Sequence, residues 1–208
     1  MSTETLAAPK KFDIHKMVAL SMLIAILIVF DVTGIGFIHV PPISITIMQI
    51  PVLIGAVVLG PGCGAILGGT FGILSMWEAT TKGVSPMDLA FSPFLSGSPI
   101  SSLIMALGCR ILFGLVAGLL FQWLSKHDKA GIWSLAVTSI ASCLFHTVSV
   151  LGSLWLLFPN LQTTFKSILI AITSVNFLVE VGLSFVFALA FAKIIPILKR
   201  KAHRPKLV

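Results

Sequence analysis

Tyrosine is absent from this chain, and charge is scarce: 10% of the 208 residues are Asp, Glu, Lys or Arg. An ordinary soluble domain carries about 25%. With 57% apolar residues, the chain reads as a polytopic membrane protein, with no stretch left over for a soluble catalytic module. Cysteine is equally thin. Cys63, Cys109 and Cys143 are far apart and lie in apolar segments. With no Cys-x-x-Cys pair, both a metal site and a disulfide framework are excluded. Nor is there a His-Glu-x-x-His zinc site or a paired acidic cluster. The glycine-rich run "GPGCGAILGGTFG" lacks the Lys-Ser/Thr of a phosphate-binding loop, so the chain hydrolyses no ATP. "SGSP" superficially resembles an intramembrane serine-protease motif, but it falls in a loop rather than on a helix. No enzyme, cofactor or metal is expected.

The charge that is present is mostly positive, with a formal net charge of +7. In a soluble chain this would suggest nucleic acid, but the positions argue for topology instead. Of the fourteen Lys and Arg, three precede residue 17, two lie in "SKHDKAG", and six lie from Lys193 onward. A bilayer core needs roughly 20 apolar residues per helix. The apolar runs give an all-α fold of six transmembrane helices in one bundle, over about 16–36, 44–60, 61–77, 100–124, 132–158 and 167–198. The first run ends without an Ala-x-Ala-like cleavage site and is read as a retained helix. Six spans bring all three basic clusters to one side, so both termini are expected in the cytoplasm. Trp77, Trp123, Trp133 and Trp155 fall at span ends, where amphipathic rings prefer the headgroup zone. Pro51 in the second span predicts a kink. Gly64, Gly68 and Gly72, Gly114 and Gly118, and Ser21 and Ala25 form small-residue faces that let helices approach closely.

Arg110 stands in the middle of the fourth span. A guanidinium at the bilayer centre is unfavourable by about 2.5–3.5 kcal/mol on insertion scales. Glu180 in the sixth span lies at similar depth, with Asn176 one turn outward on the same face. Two readings stay open: a buried Arg110–Glu180 pair that pins two helices, or an outward-facing cavity that meets a polar ligand. Gln49 beside Pro51 and His146 in mid-span are further candidates for that cavity. In the loop "FSPFLSGSP", Phe91, Phe94 and Ser96 could form a lid with aromatic contacts and hydroxyl donors. Asp31 and Glu78 read as interfacial carboxylates.

Three segments carry a family resemblance: "VPPISITIMQIPVLIGAVVLGPGCGAILGGTFG", "CRILFGLVAGLL" and "NFLVEVGLSFVF". Together with size and span number, they make the chain resemble the substrate-binding S components of energy-coupling factor (ECF) vitamin transporters of the bacterial cell membrane. "FSPFLSGSP" with the first segment looks most like the pantothenate type. The resemblance implies a vitamin site facing outward, formed by outer loops and the outer halves of the last three helices. It also implies a membrane scaffold subunit and two ATPase subunits as partners. The family's first helix usually carries an Ala-x-x-x-Ala face that docks the scaffold, for which the nearest match is Ser21 and Ala25 beside Ala19. Pantothenate is a small carboxylate, and a guanidinium fork matches a carboxylate bidentately. Riboflavin, folate and a hydroxymethylpyrimidine are alternative vitamins. From other classes, a self-sufficient secondary transporter would depend on Glu180, and a structural membrane protein would use its buried charges only as staples.

Overall fold

Glycines at four-residue intervals set the centre of the bundle. In the computed structural model, helix α3 (Pro61–Lys82) runs antiparallel to helix α6 (Cys109–Leu124). A Cβ on Gly64 would strike the Gly114 carbonyl, one on Gly68 the Arg110 carbonyl, and one on Gly118 the Pro61 backbone. With hydrogens in place of side chains, the two backbones touch, which is how helices associate where lipid supplies no hydrophobic drive.

The structure describes residues 14–38, 45–83, 86–126, 128 and 132–159, together with Gly182 and Val186. The expected sixth span, 167–198, lies outside the described residues apart from those two positions. Helix α1 (Ile14–Val32) comes first. Strand β1 (Phe37–Ile38) then pairs antiparallel with β2 (Ile45–Thr46), placing Phe37 opposite Thr46. Helix α2 (Gln49–Leu59) follows and turns into α3 at Gly60, whose φ of 101° favours a residue without a side chain. A short helix α4 (Pro86–Leu89) leads through a loop to α5 (Pro99–Leu103). A π-helical turn over Ile104–Gly108 joins α5 to α6 as one continuous helix. Helix α7 (Ile132–Leu157) completes the described part, and Ser134 at its start binds Asp128 through both its N–H and its hydroxyl.

Three helical stretches are long and apolar enough to cross a membrane: Ile14–Val32, Pro99–Leu124 and Trp133–Leu157. At 22 residues α3 is also long enough, at about 33 Å. The second apolar run departs from expectation. Only Gln49–Leu59 is helical, because β-branched Ile45 and Thr46 pair with β1 instead. No kink is needed at Pro51. It lies in the first turn of α2, where its missing N–H would have no intrahelical partner anyway. The four tryptophans are all exposed, near helix ends, as expected.

Side chains from five elements meet in one apolar cluster: Leu27, Phe37, Met48, Val52, Leu67, Phe71 and Phe113.

Candidate functional site

Arg110 is only 4% exposed, and its guanidinium is held by two hydrogen bonds and two aromatic rings. Nη1 donates to the Ala106 carbonyl at 3.0 Å, within the π-helical turn one step earlier on the same helix. Nη2 donates to Ser75 Oγ on α3 at 2.8 Å. Cζ lies 4.6 Å from the Phe71 ring centroid and 4.9 Å from that of Phe91. A desolvated cation gains more from an aromatic face than an exposed one does. Nε has no hydrogen-bond partner among the described residues. A guanidinium has five N–H donors, so the contacts described leave donors over.

The α3 side of the site follows from helical spacing. Phe71 and Ser75 are one turn apart, on the buried face that also carries Gly64, Gly68 and Gly72. That glycine face was visible in the sequence; carrying it one turn further reaches Ser75, the signal by which Ser75 could have been found. Phe71 links the arginine to His146 on α7, the two rings lying 6.1 Å apart. Phe113 covers the histidine from α6 at 5.1 Å. His146 is 5% exposed, and its Nε2 has no partner among the described residues. Gln49, at the start of α2, is 2% exposed, with both amide atoms unpartnered among the described residues. It directly follows Met48, which packs in the same cluster as Phe71. Buried polar groups are normally hydrogen-bonded. An imidazole nitrogen, an amide and a guanidinium nitrogen in this bundle thus have no partner among the described residues.

The structure separates the three loop candidates. Phe91 lies against Arg110. Phe94 is 83% exposed and points away from the buried groups. Ser96 ties the loop to α5, sharing a hydrogen bond with Ser102 at 2.7 Å, and accepts the Ser98 N–H at 3.2 Å. Asn176 and Glu180 lie outside the described residues, and so does any pairing of Glu180 with Arg110. Asp31 and Glu78 are buried within the protein, and Glu78 pairs with Lys82 at 2.9 Å. Among the described residues no group of three His, Cys, Asp or Glu is placed to hold a metal ion. On α1, Ser21 and Ala25 are exposed and Ala19 is half-buried.

The buried arginine between two phenylalanines in a glycine-packed membrane bundle has its counterpart in a family match. The model of the family "ECF transporter, substrate-specific component" matches residues 15–191. The chain belongs to that family. Two curated relatives are similar over most of their length. "Pantothenic acid transporter PanT" of Lactococcus lactis subsp. cremoris is 31% identical over 190 residues, covering 87% of this chain and 93% of the relative. "Pantothenate transporter PanT" of Leuconostoc mesenteroides subsp. mesenteroides is 29% identical over 167 residues, covering 74% and 77%. The chain is thus an ECF S component: a multi-pass protein of the cytoplasmic membrane and a binding subunit in vitamin uptake. Membership in the family implies association with scaffold and ATPase subunits, and a small-molecule vitamin as ligand.

Proposed function

We propose that this S component binds pantothenate from outside the cell and that Arg110 receives its carboxylate. The supporting observation is the guanidinium itself: buried, fixed by Ser75 and Ala106, flanked by two phenylalanines, and with Nε unpartnered among the described residues. A carboxylate oxygen pair fits that remaining edge, and charge-assisted hydrogen bonds are roughly twice as strong as neutral ones. The amide and hydroxyls of pantothenate need neutral donors and acceptors, which His146 and Gln49 supply. Both PanT relatives are named for this vitamin.

In this reading Asn176 and Glu180 complete the site from the sixth span. Both termini are cytoplasmic, so the loop carrying Phe91 faces outside. ATP hydrolysis is left to two partner ATPases. The scaffold docks on α1 over Ala19, Ser21 and Ala25. Beside them Val18, Met22, Ile26 and Val29 expose apolar side chains.

Equilibrium binding to the purified chain alone tests the function, using a panel of pantothenate, riboflavin, folate, a hydroxymethylpyrimidine and panthenol. Panthenol is pantothenate with a primary alcohol in place of the carboxylate. Tight pantothenate binding with a strong preference over panthenol is the expected result. Tight binding of another vitamin would overturn the substrate, and equal affinity for panthenol would remove Arg110 from its role.

A further inference from the structure

Phe91 is not on a helix. It belongs to the turn after α4, yet its ring lies 4.9 Å from the guanidinium of a residue in the middle of α6. A side chain on a loop holds such a position only if the loop itself is held. Here each neighbour of Phe91 is tied to a different helix. On one side, the Ala90 carbonyl accepts the Ser102 hydroxyl of α5 at 2.6 Å. On the other, Ser92 Oγ and Thr80 Oγ1 of α3 lie 2.8 Å apart. The Thr80 proton is engaged with the Met76 carbonyl at 2.7 Å, so Ser92 donates to Thr80. Ser92 Oγ then accepts the Leu95 N–H at 3.3 Å. Phe91 N–H itself donates to the Asp88 carbonyl at 3.0 Å.

Ser92 and Ser102 are both 0% exposed. Burying a hydroxyl is costly unless it is hydrogen-bonded, and a serine packs less apolar volume than the residues around it. Their presence at full burial is explained by the bonds they make, and those bonds hold the two residues flanking Phe91, Ala90 through its carbonyl and Ser92 through its side chain.

We infer that Ser102 and the Thr80–Ser92 pair are positioning residues for ligand selectivity: they clasp Phe91 over Arg110, which keeps water from the guanidinium. This rests on the reading that Arg110 receives a carboxylate. A dry, ring-covered guanidinium interacts more strongly with an anion than a hydrated one, because the local dielectric is low. A neutral alcohol in the same place gains little from that. The clasp therefore acts on the preference for pantothenate over panthenol more than on binding as such.

The test is the ratio of the two dissociation constants, measured on the purified chain and its variants. Ser102→Ala removes the bonds to Ala90 and Ser96, Thr80→Val those to Ser92 and Met76, and each is expected to lower the preference by about 3–10-fold. Ser102→Thr, which keeps the hydroxyl, restores it. Phe91→Leu keeps apolar bulk without a ring face or any side-chain hydrogen bond, and is expected to lower the preference by about as much. Adding Ser102→Ala to Phe91→Leu should then lower it no further. Equal losses for both ligands in Ser102→Ala would make the hydroxyl merely structural and overturn the inference. An unchanged preference in Phe91→Leu would overturn it as well, whatever the serine variants do. Failure of the underlying reading looks different: the unaltered protein would then bind no pantothenate or show no preference over panthenol.

Discussion

Helices α1 and α6 both belong to stretches apolar enough to span a membrane, but the structure uses them in opposite ways. Helix α1 buries only Leu27 and Asp31 and shows the rest of its surface or half-shows it. Helix α6 buries Cys109, Arg110, Phe113, Gly114, Ala117, Gly118 and Phe121, touching α2, α3 and α7. Hydropathy cannot tell such helices apart, since lipid and protein interior are equally apolar. What separates them is the pattern of small and charged residues. On α6, glycines admit a neighbouring backbone, and an arginine is tolerated with two hydrogen bonds and two aromatic faces from the bundle. On α1, small residues lie beside exposed aliphatic ones, as on a surface that meets another membrane helix.

Breaking the α6 side has the largest expected effect. Arg110→Met keeps an apolar stem but removes both the charge and the fork. Pantothenate affinity should fall on the order of 100-fold by titration calorimetry, since hydrogen bonds to charged groups contribute about 1.5–3 kcal/mol each. Panthenol affinity should change far less. Arg110→Lys keeps the charge without the fork and should fall between. Next comes the glycine seam. Gly68→Ala drives a Cβ into the Arg110 carbonyl and should lower stability by about 1–3 kcal/mol, read as a fall in Tm. Gly69→Ala, one residue along, meets only Ile111 at 3.6 Å and should be neutral or slightly stabilising. The same chemical change thus has opposite signs on two faces of one helix.

Helix α1 supplies the contrast. Ala25→Trp places a ring on the exposed face and should weaken co-purification with the scaffold by about tenfold, an effect of roughly 1.4 kcal/mol. Vitamin binding by the chain alone should be unchanged. If binding falls as well, the two helices are not functionally separate. The smallest effect is expected at Phe94. With its ring 83% exposed, Phe94→Ala should alter pantothenate affinity by no more than about twofold, within the usual range for surface positions.

Much of this division was legible in the sequence. Arg110 stood out because charge inside a span is costly, and the four-residue glycine repeats gave the seam between α3 and α6. Trp positions marked the helix ends. The second span was misread as helix from residue 44, because continuous hydropathy hides a β-ladder of four residues; only Pro51, set in the first turn, hinted at the later start. Ser75 was missed because a lone serine in a membrane helix commonly bonds its own backbone. Phe91 and Phe94 looked equivalent in "FSPFLSGSP". They differ in setting: Phe91 lies against Arg110 between residues bonded to Thr80 of α3 and Ser102 of α5, whereas Phe94 is exposed, and none of these contacts is written in the loop's own sequence.

The π-helical turn at Ile104–Gly108 has a consequence for how such a chain can change. A π turn is in effect one residue inserted into an α-helix, and each residue of an α-helix advances the direction of its side chains by about 100°. Everything upstream, including Ser102, is therefore set at an angle to Arg110 that a regular helix would not give. The wider turn takes up its extra residue within about one turn of helix, so loss of a single codon within these five would close it to regular α-helix and leave Ser102 and Arg110 on their present faces. An added codon finds no such slack and would turn Ser102 about 100° away from Ala90 while leaving Arg110 against Ser75.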